Sequence, residues 1–465
     1  MDCTGPLWPL PLCHMKHLIC VLGLAGLFVI GPSRLVAQAT LDLLTLAEQA
    51  LADGQPARVV DMTTRLTAKN PDDFAALVLL SLAQADLGND DAAFDAASRA
   101  YHAGRTNAKR LQAARLAAAA RFRMGQYLRA QWWLRRASNH AQTPQDANTV
   151  RTEFQRIRQA NPLTAQLGFS IAPTDNLNNG SEQDFFTLEG IDFEFTLPPG
   201  SLPLSGVEYA GEAKLSYQVS RSATQMTSLD AYFYGRTYTL TRAAQATVPD
   251  ISGNDYALSL AEVSLNHSRF LFDGLGPTTV SAHLGRVWFS GDPLWDYQKL
   301  SVAQAFRVRA ADVLTLTGAV QDQQAQSDLQ PDTVLYDLSA AYATPLANGD
   351  VAELTLAAQF NDATTETDTF TDYSGFVDYR FNAPVFNARW ALSFGVGHTN
   401  YDEFTLSLDG RRDTYASLGA TAVLEEFTYF GFSPSVSVTA RRTVSNVTQF
   451  TSSQVQARIG IQSTF

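Results

Sequence analysis

Cysteine is almost missing from this chain: Cys3, Cys13 and Cys20 all fall within the first 39 of 465 residues. Disulfides, thiolate–zinc sites and cysteine nucleophiles are therefore excluded from residue 40 onward. Charge is also scarce, at 17%, against roughly 25% in an average soluble domain. Aromatic residues reach 11%, and the two figures together argue against a disordered or nucleic-acid-binding chain. Long apolar runs are absent too. No segment after the N-terminus offers 18 consecutive apolar residues, so no membrane helix is expected.

The one apolar run, Leu18 to Ile30, follows Lys16 and precedes Ala37-Gln38-Ala39, a small-x-small cleavage pattern. A run of about 13 residues falls short of the roughly 20 that span a bilayer as a helix. Residues 1–39 thus read as a secretory signal peptide, with Met15 as an alternative start. Cys20 lies inside the run instead of directly after a cleavage site, so N-terminal lipidation is not expected.

Residues that carry chemistry are sparse. His102, His140, His267, His283 and His398 form no HExxH or HxH pair. The stretch from Asp175 to Gly180 looks calcium-like, but Leu177 and Phe186 stand where a calcium loop needs oxygen ligands. No glycine-rich phosphate loop stands between a strand and a helix. The reading is a chain with no catalytic site, no metal, no cofactor and no nucleic-acid partner, and hence no enzyme.

From residue 40 to 162 the chain is rich in Ala, Leu and Arg at helical spacing, and one turn signature recurs as Gly54/Val59, Gly88/Ala93 and Gly125/Ala130. A helix–turn–helix period of this length, with small residues at close contacts, predicts a tetratricopeptide-like solenoid of about three units. In the middle unit Leu77, Leu80 and Ser81 stand on the first helix and Ala93, Ala97 and Ala100 on the second, with Pro71 and Pro144 at unit boundaries. Residues 99–162 hold 13 bases and 2 acids. Arg123, Arg129, Trp132, Trp133 and Arg136 are therefore candidate partner-binding residues; the alternative is a solvated arginine face with both tryptophans packed between helices.

From Leu163 to the end the spacing changes to period two. Val334, Tyr336, Leu338, Ala340 and Tyr342 alternate with Asp337 and Ser339; Leu354, Leu356, Ala358 and Phe360 alternate with Glu353, Thr355 and Gln359; Trp390, Leu392, Phe394 and Val396 alternate with Arg389 and Ser393. Fourteen strands are expected, near 163–172, 206–219, 227–241, 255–269, 276–289, 294–307, 312–321, 333–344, 351–360, 370–381, 386–398, 413–424, 429–440 and 454–465. The gaps read as long loops alternating with tight turns. An even strand number with that asymmetry predicts an antiparallel transmembrane β-barrel in an outer membrane, the form in which a sheet leaves no backbone group unpaired in lipid. Val455, Ala457, Ile459, Ile461 and Phe465 should face lipid, and the terminal Phe465 resembles the outer-membrane assembly signal. Outer-membrane lipids and barrel-assembly machinery are the implied partners.

The order of signal peptide, tetratricopeptide-like domain and barrel resembles the surface lipoprotein assembly modifier (Slam) family of Gram-negative outer membranes. The sharpest local match is Gly168-Phe169-Ser170-Ile171-Ala172-Pro173-Thr174-Asp175-Asn176-Leu177-Asn178, similar to that family's "hydrophobic–Ala–Pro–x–x–Asn–hydrophobic–Asn" stretch. Pro173 should end a strand, with Asp175, Asn176 and Asn178 holding a turn by side-chain hydrogen bonds, either as a polar lid in the lumen or as ordinary loop caps. The resemblance implies delivery of specific client proteins, surface lipoproteins or a secreted haemophore-like protein, across the outer membrane. It places the helical domain in the periplasm, where a chaperone is a further partner. An exopolysaccharide exporter and a barrel-anchored periplasmic scaffold are the alternative readings.

Overall fold

The computed structural model describes residues 43–187, 193–272, 274–309, 311–327, 330–427, 429 and 432–463, with the backbone alone at 463. The expected signal peptide and Phe465 lie outside the described residues. After Ala103 the chain divides into two compact units.

In the first unit, α1 (43–52), α2 (Pro56–Lys69), α3 (Phe74–Asp86) and α4 (Asp90–Ala103) form two helical hairpins. Each hairpin turns on a glycine with positive φ, Gly54 at 70° and Gly88 at 76°. The residue after each glycine donates its N–H five residues back, Gln55 to Ala50 and Asn89 to Gln84, which satisfies carbonyls that a helix end leaves open. Pro56 begins α2, where its missing N–H does no harm. The Asp73 side chain caps α3 by accepting from the N–H of Ala76. Ala93, Ala97 and Ala100 are fully buried, and Ser81 donates to the carbonyl of Ala93 at 2.8 Å. The backbones approach this closely because the contacts are alanines.

The second unit opens with α5 (Asn107–Arg123), α6 (Tyr127–Ser138) and α7 (Pro144–Ala160). Gly125, at φ 71°, repeats the same turn, with Gln126 donating to Arg121. Arg115 and Glu153 tie α5 to α7 through a two-pronged ion pair. The α7 helix leads almost directly into strand β1 through Asn161 and Pro162.

The rest of this unit is a closed antiparallel barrel. Its fourteen strands are β1 (Leu163–Thr174), β4 (Gly206–Arg221), β5 (Gln225–Leu240), β6 (Leu258–Arg269), β7 (Thr278–Phe289), β8 (Asp292–Arg307), β9 (Val313–Ala325), β10 (Thr333–Pro345), β11 (Val351–Ala363), β12 (Phe370–Arg380), β13 (Arg389–Tyr401), β14 (Arg411–Val423), β15 (Phe432–Ser445) and β16 (Ser452–Ser463). Each pairs with the next, and β16 returns to β1. Leu167, Phe169 and Ile171 on β1, Leu354, Leu356 and Phe360 on β11, and Val455, Ile459 and Ile461 on β16 are all exposed. They occupy alternate positions, and the residues between them are polar or small, so the outer wall is apolar and the inner wall polar. Such a surface suits lipid, not water.

Three sequence expectations need correction. Long loops alternate with tight turns only at the start, at 175–205, 222–224 and 241–257; Ser290 and Gly291, both with positive φ, make a two-residue hairpin on the rim of the long loops. From β8 onward the connections on both rims are of similar length. Pro173 does not end a strand, for β1 continues through Thr174 and Pro173 pairs with Val207. The 175–205 loop also holds its own small hairpin, β2 (Phe185–Thr187) and β3 (Glu194–Thr196). Strands of three residues are too short to show a period.

The rim on which both barrel ends lie is anchored by two aspartates. Tyr342 donates its hydroxyl to Asp312 at 2.7 Å, with Thr344 donating to the other oxygen. Tyr379 and the N–H of Asn382 serve Asp350 in the same way. The tyrosine hydrogen bond in each case holds the carboxyl below the usual aspartate range. A depressed carboxyl stabilises the fold above its unfolded pKa, about 4, and that stabilisation disappears as pH falls through the lower folded value. The melting temperature of the barrel should thus drop on acidification below about pH 4, and Asp312→Asn/Asp350→Asn should flatten that decline. A decline of equal slope in both proteins would show that other groups cause it.

Candidate functional site: the strand seam and its rim loop

The junction of β1 with β16 differs from its neighbours. β1 pairs with β4 along its whole length; with β16, among the described residues, it pairs from Gly168↔Gln462 to Ile171↔Ile459 and again at Thr174↔Gln456. The ladder skips Ala172 and Pro173. A proline has no N–H to give a ladder and is normally confined to edges and bulges, so its place here weakens this seam.

Side chains bridge the gap. From β16, Arg458 reaches across Ala172 to Glu208 on β4, with Nη2 donating to Oε1 at 2.8 Å. Tyr238 on β5 donates to the other carboxylate oxygen at 3.0 Å. Ala172 pairs with Glu208, and Glu208 with Tyr238, so the four residues form one row across four strands. Glu208 is 3% exposed and Ala172 1%. A methyl side chain at 172 leaves room for the arginine to pass over β1.

Toward the rim the Asp-Asn-Leu-Asn stretch takes over. Asp175 accepts the N–H of Val455 at 2.9 Å, and Gln454 donates to the carbonyl of Asn176 at 2.6 Å. Asn176 is 1% exposed. Its amide donates to the carbonyls of Gly180 and Ser453 and accepts the N–H of Gly180. Asn178 donates to Gly200 and Leu202 and accepts from Leu204, which closes the base of the loop.

Between the two asparagines, Leu177 points into an apolar cluster with Leu204, Tyr238, Ala244 and Val248. That cluster joins the 175–205 and 241–257 loops into one cap over this sector of the rim. Gly206 is needed beneath it, since a Cβ there would sit 2.5 Å from Leu177 and from the carbonyl of Thr239. Pro173, Asp175, Asn176 and Asn178 thus converge on the seam and its cap. Sequence reasoning did not single out Glu208, Tyr238, Gln454 or Arg458. Their period-two positions mark them as facing the lumen, but only closure brings β16 beside β1.

The helical candidates separate. Trp133 is buried while Trp132 is 47% exposed, because adjacent residues on a helix cannot share a face. Their rings meet edge to face at 5.4 Å, and Arg136 lies over both at 4.5 and 4.8 Å. Arg129 donates to Gln126, and Arg123 ends α5. Neighbouring Arg135 sits over Phe432 of β15 at 5.3 Å, so α6 touches the barrel rim.

The remaining lumen wall is held by cross-strand pairs. Glu262 accepts from Tyr297 at 2.7 Å and meets His283 at 3.0 Å. Asp230 accepts from Ser216 and Asn266, and Asp337 from Lys299 and Gln359. Tyr297 lies against Gly285 and Tyr415 against Gly397, their partners on the neighbouring strand. The described lining is polar and braced by these cross-strand pairs.

No protein-family model and no curated protein matches the chain. Among solved structures, the outer-membrane protein OprD of Pseudomonas aeruginosa is 10% identical, covering 64% of this chain and 93% of its own, with a TM-score of 0.32. CdiB from Acinetobacter baumannii is 12% identical over 64% of this chain and 60% of its own, with a TM-score of 0.36. The barrel resembles Gram-negative outer-membrane proteins. The helices are similar to the type III secretion translocator chaperone SycD of Yersinia enterocolitica, at 17% identity over 27% of this chain and 86% of its own, with a TM-score of 0.25.

Proposed function

We propose that this protein is an outer-membrane translocon that delivers specific client proteins, surface lipoproteins or a secreted protein, to the cell surface. The observation that carries the reading is the direct passage from a helical repeat into the barrel. The α7 helix enters β1 through two residues, and α6 touches β15, so the second unit sets α5–α7 against one rim of a polar lumen. A partner held by the helices would be presented to the lumen without a mobile linker. The helical part lies in the periplasm in this reading, where it meets a client or its chaperone, and barrel-assembly machinery inserts the strands.

The test is labelling of surface proteins on intact cells with and without this protein. One or a few proteins should vanish from the surface and accumulate in the periplasm. A change confined to surface polysaccharide, with every surface protein still in place, would overturn the reading in favour of a polysaccharide exporter.

A further inference from the structure

At the rim shared by the barrel ends, a groove of about 560 Å³ opens between the end of α7 and the lumen-facing ends of β1, β4 and β5. Arg158 and Gln159 come from α7, Asn161 from the connection, and Ser216, Gln218 and Arg221 from β4. Among the described residues its lining holds no carboxylate, although residues 163–465 carry 33 acids and 16 bases. Neither Arg158 nor Arg221 has an ion-pair partner among the described residues.

Asn161 packs at the floor of the groove. It is 6% exposed, and its Oδ1 accepts the N–H of Leu163 at 3.0 Å, which fixes the turn from α7 into β1. Ser216 donates to Asp230 on the inner wall, so this lining faces the lumen and not the lipid.

We propose that this groove is a binding site for an acidic, extended polypeptide segment at the mouth of the barrel. Arg158 and Arg221 pair with its carboxylates, and the amide side chains meet its main-chain groups. The proposal rests on the translocon reading and adds the chemical class that the entrance accepts. Two guanidinium groups without an ion-pair partner among the described residues suit carboxylates, and the groove brings both to one place.

The experiment uses the purified chain in detergent micelles and a fluorescent deca-glutamate peptide, with binding read by anisotropy. The wild-type chain should bind it, lose affinity as salt is raised, and ignore a deca-lysine peptide. Arg158→Glu/Arg221→Glu should weaken binding at least about tenfold, as reversal of two contacting charges requires, while Arg156→Glu on the same helix leaves it unchanged. Arg158→Gln/Arg221→Gln is the companion variant, and heat-modifiable migration confirms that each barrel is folded. Equal binding by the folded double variants would overturn the proposal. So would inorganic phosphate displacing the peptide at equal concentration, which would make this a simple anion site. Failure of the translocon reading looks different: the peptide binds as expected, yet no surface protein depends on the chain.

Discussion

Replacing Asn176 by alanine is expected to destabilise the barrel by about 3 kcal/mol and to open the 175–205 loop to protease. The side chain is 1% exposed, and it satisfies the carbonyls of Gly180 and Ser453 together with the N–H of Gly180. Truncation strands the buried N–H and carbonyl of Gly180 and the partly buried carbonyl of Ser453, each costing about 1 kcal/mol or more when left unmade. The loss is concentrated because Asn176 joins three things at once: its own turn, strand β16 and, through Leu177 beside it, the apolar cap. Asn178→Ala should cost less, since two of its three partners, the carbonyls of Gly200 and Leu202, lie in a more exposed part of the loop where water can replace the amide. Urea unfolding and limited proteolysis of the folded protein would measure both. Wild-type stability with a protease-resistant loop in Asn176→Ala would refute the account of the rim.

Arg458→Ala should lower stability by about 2 kcal/mol, the range for a hydrogen bond to a charged group. It leaves Glu208, 3% exposed, with Tyr238 as its remaining strong donor. The arginine side chain is itself 41% exposed, which screens part of the interaction and keeps the figure below that of a fully buried pair. The effect should appear at one place. Ile171→Cys/Ile459→Cys joins residues already paired across the junction, in a chain otherwise free of cysteine from residue 40 onward. Oxidising that pair should restore the stability lost in Arg458→Ala. A double-mutant cycle with Glu208→Gln isolates the coupling, and a coupling near zero would mean the pair does not hold the seam.

Much of the architecture was legible in the sequence because its signals are local. Gly54, Gly88 and Gly125 stand where three helix pairs turn, and the alanines around them were readable as close contacts. The change from helical to alternating spacing near Leu163, and the apolar stripes of Leu354 to Phe360 and Trp390 to Val396, followed from side-chain direction alone. The exchange between Trp132 and Trp133 was not legible. Both are aromatic and adjacent, and only packing of α6 decides which turns inward. The Asp-Asn-Leu-Asn stretch was recognisable as a turn, but nothing local announced that its partners lie on β16.

The sequence by itself therefore determined the helical repeat, the number of strands and the faces those strands present, since each depends on residues a few positions apart. The tertiary structure decided what closure alone can decide: that β16 meets β1, that Arg458 passes over Ala172 to Glu208, that Asn176 bonds to Ser453, and that Arg158 and Arg221 share one groove. Those residues stand far apart along the chain, and no period or propensity encodes a meeting that depends on the curvature and register of a complete barrel.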